Sequence, residues 1–246
     1  MSKTPLRIVL PPYPPPEKTI TRADGSLKPT IFVPPQGEMS HETAVLIHQA
    51  VCGLFEARRY EDALILSKVI CCGRPDYPEA FYNASLALFQ LGRISESKST
   101  MQKGPDSLWM GAEANYHMSC IAANLQDWPL ALVHAQRATD IDPNHSDAIY
   151  QSSLALFHLQ RYSEAKSSLQ NAPNSFWQQA SANYHMACIE VALCSFDLAA
   201  SYAEKAAKTD PTLLKEMLSD NDLKAIWPRI ARICHPGLPA TATGGL

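Results

Sequence analysis

Apolar residues recur at helical spacing through most of this chain, in runs separated by turn formers. "AEANYHMSCIAANLQ" (112–126) is a stretch of helix-compatible residues with one apolar stripe. "DWPLALVHAQRATDI" (127–141) restarts the pattern, with Asp127 placed to cap a helix and Pro129 in its first turn, where a missing N–H costs little. "DPNH" (142–145) then closes it with turn residues. Neither helix can bury its stripe alone, so the pattern predicts helix pairs that stack on further pairs.

The pattern repeats. "ASLALFQLGRISESKS" (84–99) aligns with "SSLALFHLQRYSEAKS" (152–167), "PDSLW" (105–109) with "PNSFW" (173–177), and "NYHMSCI" (115–121) with "NYHMACI" (183–189). Each pair is offset by 68, and from Glu79 to Pro143 about half the positions are identical without a gap. A weaker repeat of 34 lies inside: Ala63, Ser97, Ala131, Ala165 and Ala199 are evenly spaced. Five units follow, 44–77, 78–111, 112–145, 146–179 and 180–213. At least about three such units are needed before stacking supplies a core.

A 34-residue helix-pair period with small residues at Ser119, Ala131 and Ala138, Tyr116 in the first helix and Pro143 at the end resembles the tetratricopeptide repeat (TPR) family. The resemblance implies an all-α fold, a right-handed α-solenoid of antiparallel helix pairs. The even units depart from the family pattern: their second helices stop at Pro105 and Pro173, and Trp109 and Trp177 stand where proline usually stands. After Pro211, Leu213, Leu214, Met217, Leu218, Leu223, Ile226, Trp227 and Ile230 form an amphipathic face suited to cap the last repeat over 214–234, and 235–246 reads as a loose tail.

The resemblance also implies a concave groove lined by the first helix of each unit, at its second, fifth, sixth and ninth places. The groove residues expected are Tyr82, Asn83, Leu86, Glu113, Tyr116, His117, Cys120, Asp147, Tyr150, Gln151, Leu154, Tyr184 and His185. Such a groove is aromatic and uncharged to acidic, and suits an apolar, proline-containing or mildly basic protein segment. The TPR co-chaperones that hold EEVD tails use a basic clamp. Here its places are His48, Cys52, Asn83, Glu113 and His117, and only Asn83 fits. Three roles remain: a scaffold or adaptor, a chaperone shielding an apolar client as secretion chaperones do, and a self-assembling structural protein.

The first forty residues are different material. They hold nine of the nineteen prolines and two apolar clusters, Ile8–Val9–Leu10 with Tyr13 and Ile31–Phe32–Val33. A disordered, extended leader is expected over 1–40, with docking into the chain's own groove as its sharper reading. Its charge is mildly positive, while the whole chain carries −3. That balance gives no basic field for nucleic acid, and no run approaches the ~18 apolar residues of a membrane span.

Chemistry finds little support. No glycine-rich phosphate loop, HExxH, GxSxG or CxxC occurs, and the chain is expected to be no enzyme and to need no cofactor or metal. Seven cysteines scattered through apolar stretches fit reduced thiols and a cytoplasmic location. The two "NYHM" stretches hold soft-metal ligand types, but two whole repeats, on the order of 20 Å of stacked helices, separate them, and one ion cannot bridge that gap. Their His117 and His185 are expected to face the groove beside Tyr116 and Tyr184.

Overall fold

The computed structural model describes residues 35 and 37–234. The leader over 1–34, and any docking by it, lies outside the described residues, as does the tail over 235–246.

The first unit holds α1 (His41–Glu56) and α2 (Tyr60–Gly73), and the second α3 (Pro78–Gln90) and α4 (Ile94–Gln102). Next come α5 (Ala112–Asn124) with α6 (Trp128–Ile141), α7 (Ser146–His158) with α8 (Tyr162–Gln170), and α9 (Ala180–Ala192) with α10 (Phe196–Thr209). A short α11 (Leu213–Met217), a 3₁₀ segment over Asn221–Ile226 and α12 (Trp227–Cys234) complete the order. No strand occurs among the described residues, and no described helix is long and apolar enough to cross a membrane.

Local chemistry sets the helix starts. Ser40 Oγ accepts from the Thr43 N–H at 3.2 Å, so α1 begins at His41, ahead of the repeat boundary at 44. Asp127 caps α6 by accepting from the Leu130 N–H at 3.3 Å, as the sequence predicts. His145 caps α7 through Nδ1, which accepts from the Ala148 N–H. Each first helix turns into its second through one residue in the left-handed region: Arg58, Gly92, Gln126, Gln160 and Cys194, all 34 apart. Only Gly92 meets that geometry without steric cost.

The helices pack as an α-solenoid. Each first helix packs on its own second helix, and it also touches the first helix of the next unit. The evenly spaced small residues Ala63, Ser97, Ala131, Ala165 and Ala199 are fully buried where paired helices cross. Any larger side chain there would push the helices apart. Met118, Ile121, Met186 and Ile189 are buried between units, each worth ~1.5–3 kcal/mol relative to exposure.

The two even units end differently from the odd ones. Helices α4 and α8 stop after nine residues, and 3₁₀ turns over Asp106–Met110 and Phe176–Gln178 take up the remaining length. Leu108 and Phe176 plug the gap under the next first helix and are buried. Asn115 Nδ2 donates to the carbonyls of Trp109 and Gly111, both at 2.9 Å, and Asn183 Nδ2 donates to those of Trp177 and Gln179. The leading asparagine of each "NYHM" stretch therefore ties the irregular turn to the following helix.

Candidate interaction groove

Neighbouring first helices meet at matching places along their length. Asn83 Nδ2 donates to His48 Nδ1 at 3.2 Å, and Gln151 Nε2 donates to Cys120 Sγ at 3.2 Å. Ser85 and His117, and Ser153 and His185, are hydrogen-bonded at 3.0 and 3.1 Å. Paired residues sit within three places of one another in successive units, so α1, α3, α5, α7 and α9 run parallel and in step. They form the inner layer, because successive first helices touch more closely than successive second helices do.

That layer exposes a row of tyrosines. Tyr82, Tyr116, Tyr150 and Tyr184 are each half-buried, with one edge in the protein and one free. Burial raises the pKa of every one of them, so all four stay as hydroxyl donors at neutral pH. Carboxylates add to the rise: Glu113 at Tyr82, Asp147 and Glu113 at Tyr116, Glu216 at Tyr150 and Asp220 at Tyr184. Each tyrosine thus feels the charge of an acid from one step further along, or from the segment that caps the array. Leu86, Cys120, Gln151 and Leu154 fill the intervals and are partly exposed, while Glu113 and Asp147 stand exposed on the rim.

At the C-terminal end a cavity of about 160 Å³ opens between α7, α9 and the capping segment, and its lining includes Tyr150, Tyr184, His185, Cys188, Asp220 and Asp222. Tyr184 donates to Asp220 Oδ2 at 2.6 Å, and Trp227 Nε1 donates to the Asp220 and Met217 carbonyls, which fixes that turn. Burial and the neighbouring Asp220 charge push the Asp222 carboxyl up. No lysine or arginine lines the cavity, and no described cation pairs with Asp147, Asp220 or Asp222.

Three expected groove residues are buried. His117 and His185 are buried between units, behind the tyrosines. Each bonds to a serine of the preceding unit and rests edge-on against an aromatic pair, Tyr82 and Phe89 for His117, Tyr150 and Phe157 for His185. Burial drops both imidazoles to about 4, so they are neutral spacers that hold neighbouring first helices together. His185 also lines the cavity. Asn83 is also buried, occupied with His48. The expected orientation fails because a serine one unit back offers a bond that open water would have to match.

Sequence reasoning missed Asp220, Asp222 and His145. His145 Nε2 stands 3.4 Å from Glu113 Oε1, with its ring against Tyr116. Asp220 and Asp222 lie beyond the last repeat, so the register of 34 does not place them. Among the described residues no group of three or more His, Cys, Asp or Glu is placed to hold a metal ion.

No family model and no curated protein sequence matches the chain significantly. Solved structures do. A MamA protein superposes with a TM-score of 0.61 at 17% identity, covering 72% of this chain and 96% of its own. MamA from residue 41 to its end, from Desulfovibrio magneticus RS-1, gives 0.61 at 18%, covering 71% and 98%. YrrB, described as a TPR protein with an unusual peptide-binding site, gives 0.59 at 19%, covering 68% and 87%. At these identities the likeness is one of fold, and the fold is the TPR solenoid.

Proposed function

We propose that this TPR solenoid acts as a protein-interaction scaffold, holding an extended or helical segment of a partner protein along its first helices. The observation that carries the reading is the row of half-buried tyrosines, each within the field of a carboxylate, with no lysine or arginine lining the cavity at Tyr150 and Tyr184. Tyrosine supplies large contact area at little conformational cost, and its protonated hydroxyl can donate, although that of Tyr184 is already given to Asp220. Proline and aliphatic residues stack on such faces, and a lysine or arginine finds Glu113, Asp147 or Asp222 within the same channel. An acidic tail would meet like charge at every step. The fold likeness to YrrB, a protein described as having a peptide-binding site, supports placing the ligand on this solenoid type.

Selection of random peptides displayed against the full chain tests the proposal. Enriched sequences should combine proline or aliphatic residues with Lys or Arg, and should be lost on the Tyr150→Ala/Tyr184→Ala variant. Enrichment of acidic sequences, or retention by that variant, would remove the groove from consideration.

A further inference from the structure

We infer that the resident occupant of this groove is the chain's own proline-rich segment, residues 1–34, laid along the inner face until a partner displaces it. The inference rests on the groove reading above and names what fills the groove when no partner is present.

Three observations converge. The first is where the described chain begins. Met39 is buried, its N–H donates to the Gly73 carbonyl at 3.1 Å, and Ser40 caps α1. The preceding segment therefore leaves from the N-terminal end of a first helix. Because the first helices run parallel and in step, that end shares an edge with the starts of α3, α5 and α7. On that edge stand Glu79, Glu113 and Asp147, all exposed.

The second is charge. Residues 1–34 carry Lys3, Arg7, Lys18, Arg22 and Lys28 against Glu17 and Asp24. The groove offers Glu79, Glu113, Asp147, Asp220 and Asp222; among the described residues no lysine or arginine pairs with any of these acids, and only the His145 ring stands beside one of them, 3.4 Å from Glu113. The segment's Tyr13, its five prolines over 11–16 and its cluster Ile31–Phe32–Val33 match the aromatic and aliphatic lining between those acids. Local concentration favours this occupant over any free peptide of equal chemistry, because attachment makes binding intramolecular.

The third is reach. From α1 to α9 is four unit steps of ~8–10 Å, on the order of 40 Å. Thirty-four residues in extended, proline-rich form span about 100 Å. The segment is long enough to run from its attachment to the Asp220 cavity with residues to spare.

Zero-length carbodiimide crosslinking of the full chain at low concentration, with isotope-mixed protein to separate links within a chain from links between chains, tests the inference. Intramolecular links should join Lys3, Lys18 or Lys28 to Glu79, Glu113, Asp147, Asp220 or Asp222. Links only to outer acids such as Glu61, Glu96 or Glu164, or none from the segment, would overturn it. A labelled synthetic peptide of residues 1–34, added in trans, provides the second readout. It should bind the full-length Arg7→Ser/Lys18→Ser/Arg22→Ser/Lys28→Ser variant at least tenfold more tightly than wild type. Equal binding to both forms, abolished by Tyr150→Ala/Tyr184→Ala, would show an open groove. That result overturns resident occupancy and leaves the scaffold reading intact. Binding to neither form, without groove crosslinks, removes the segment as occupant, and the peptide selection then judges the groove alone.

Discussion

The two 68-residue copies make the same scaffold from partly different chemistry. In both, a histidine at the sixth place bonds a serine of the preceding unit, and an asparagine ties down a 3₁₀ turn. What differs is how each copy anchors its short second helix and how it closes its stretch of groove. Lys98 meets Asp127 near the surface at 3.2 Å, whereas Lys166 meets the buried Glu190 at 2.8 Å. Tyr116 looks onto an open channel edged by Glu113 and His145, whereas Tyr184 is held by Asp220 in a cavity. The shared features are scaffold, and the groove's individuality lies in what the second copy meets beyond the repeats.

The largest expected effect separates the two ion pairs. Glu190 is 1% exposed and its Oε2 has no hydrogen-bond partner, so Lys166 alone offsets its charge. Lys166→Met should lower the local stability of α8 and α9 by ~3 kcal/mol, since a lone buried charge is left behind. Lys98→Met should cost under ~1 kcal/mol, because Asp127 is 40% exposed and stays solvated. Native-state hydrogen exchange at each helix reads both, and equal losses would contradict the assigned difference.

The asparagine clamps come next. Asn115 donates to two carbonyls and accepts from His134 Nδ1 at 3.1 Å, while Asn183 has only its two donated bonds, Tyr202 standing where His134 stands. Asn115→Ala should destabilise by ~2–3 kcal/mol and Asn183→Ala by ~1–2 kcal/mol, from buried polar groups left unpaired. Urea unfolding of the two variants checks the order.

Acid should weaken both copies together. His117, His185 and His134 titrate at about 4 in the fold, below their usual value near 6.5. Between those values the unfolded chain binds more protons, so this contribution is fully present above about pH 6.5 and is lost as pH falls toward 4. Thermal midpoints measured from pH 7.5 to 4 should decline through that window, and a His117→Leu/His185→Leu variant should show a shallower decline. An unchanged slope would mean that the two imidazoles are solvated.

The smallest effect is in the turns. Gly92 and Gln160 occupy equivalent left-handed positions, and a Cβ at Gly92 meets nothing within 4 Å, so only backbone strain distinguishes them. Gln160→Gly should raise stability by ~0.5–1 kcal/mol and Gly92→Gln should lower it by a similar amount. Opposite shifts in thermal midpoint are expected.

Repetition made the fold legible. Two gapless copies place the small residues at the helix crossings, and the structure buries them where the period puts them. The period says which residues are equivalent, not which way each one turns. His117 sits one residue from the groove tyrosine Tyr116, and the serine thirty-two residues earlier decides its direction. That pairing recurs as Ser85 with His117 and Ser153 with His185, a signal present in the sequence that a unit-by-unit reading passes over. Asp220 and Asp222 were invisible for a different reason, because a capping segment has no register to read them by.

The scaffold account stands most directly on one titration. A peptide enriched by display selection on the full chain is titrated calorimetrically against wild type, Tyr150→Ala/Tyr184→Ala, and the outer-face control Val133→Ala. The tyrosine pair should lose at least tenfold in affinity, in line with ~2 kcal/mol for a buried aromatic anchor, and the control should not change. Equal affinity for wild type and the tyrosine variant would contradict it.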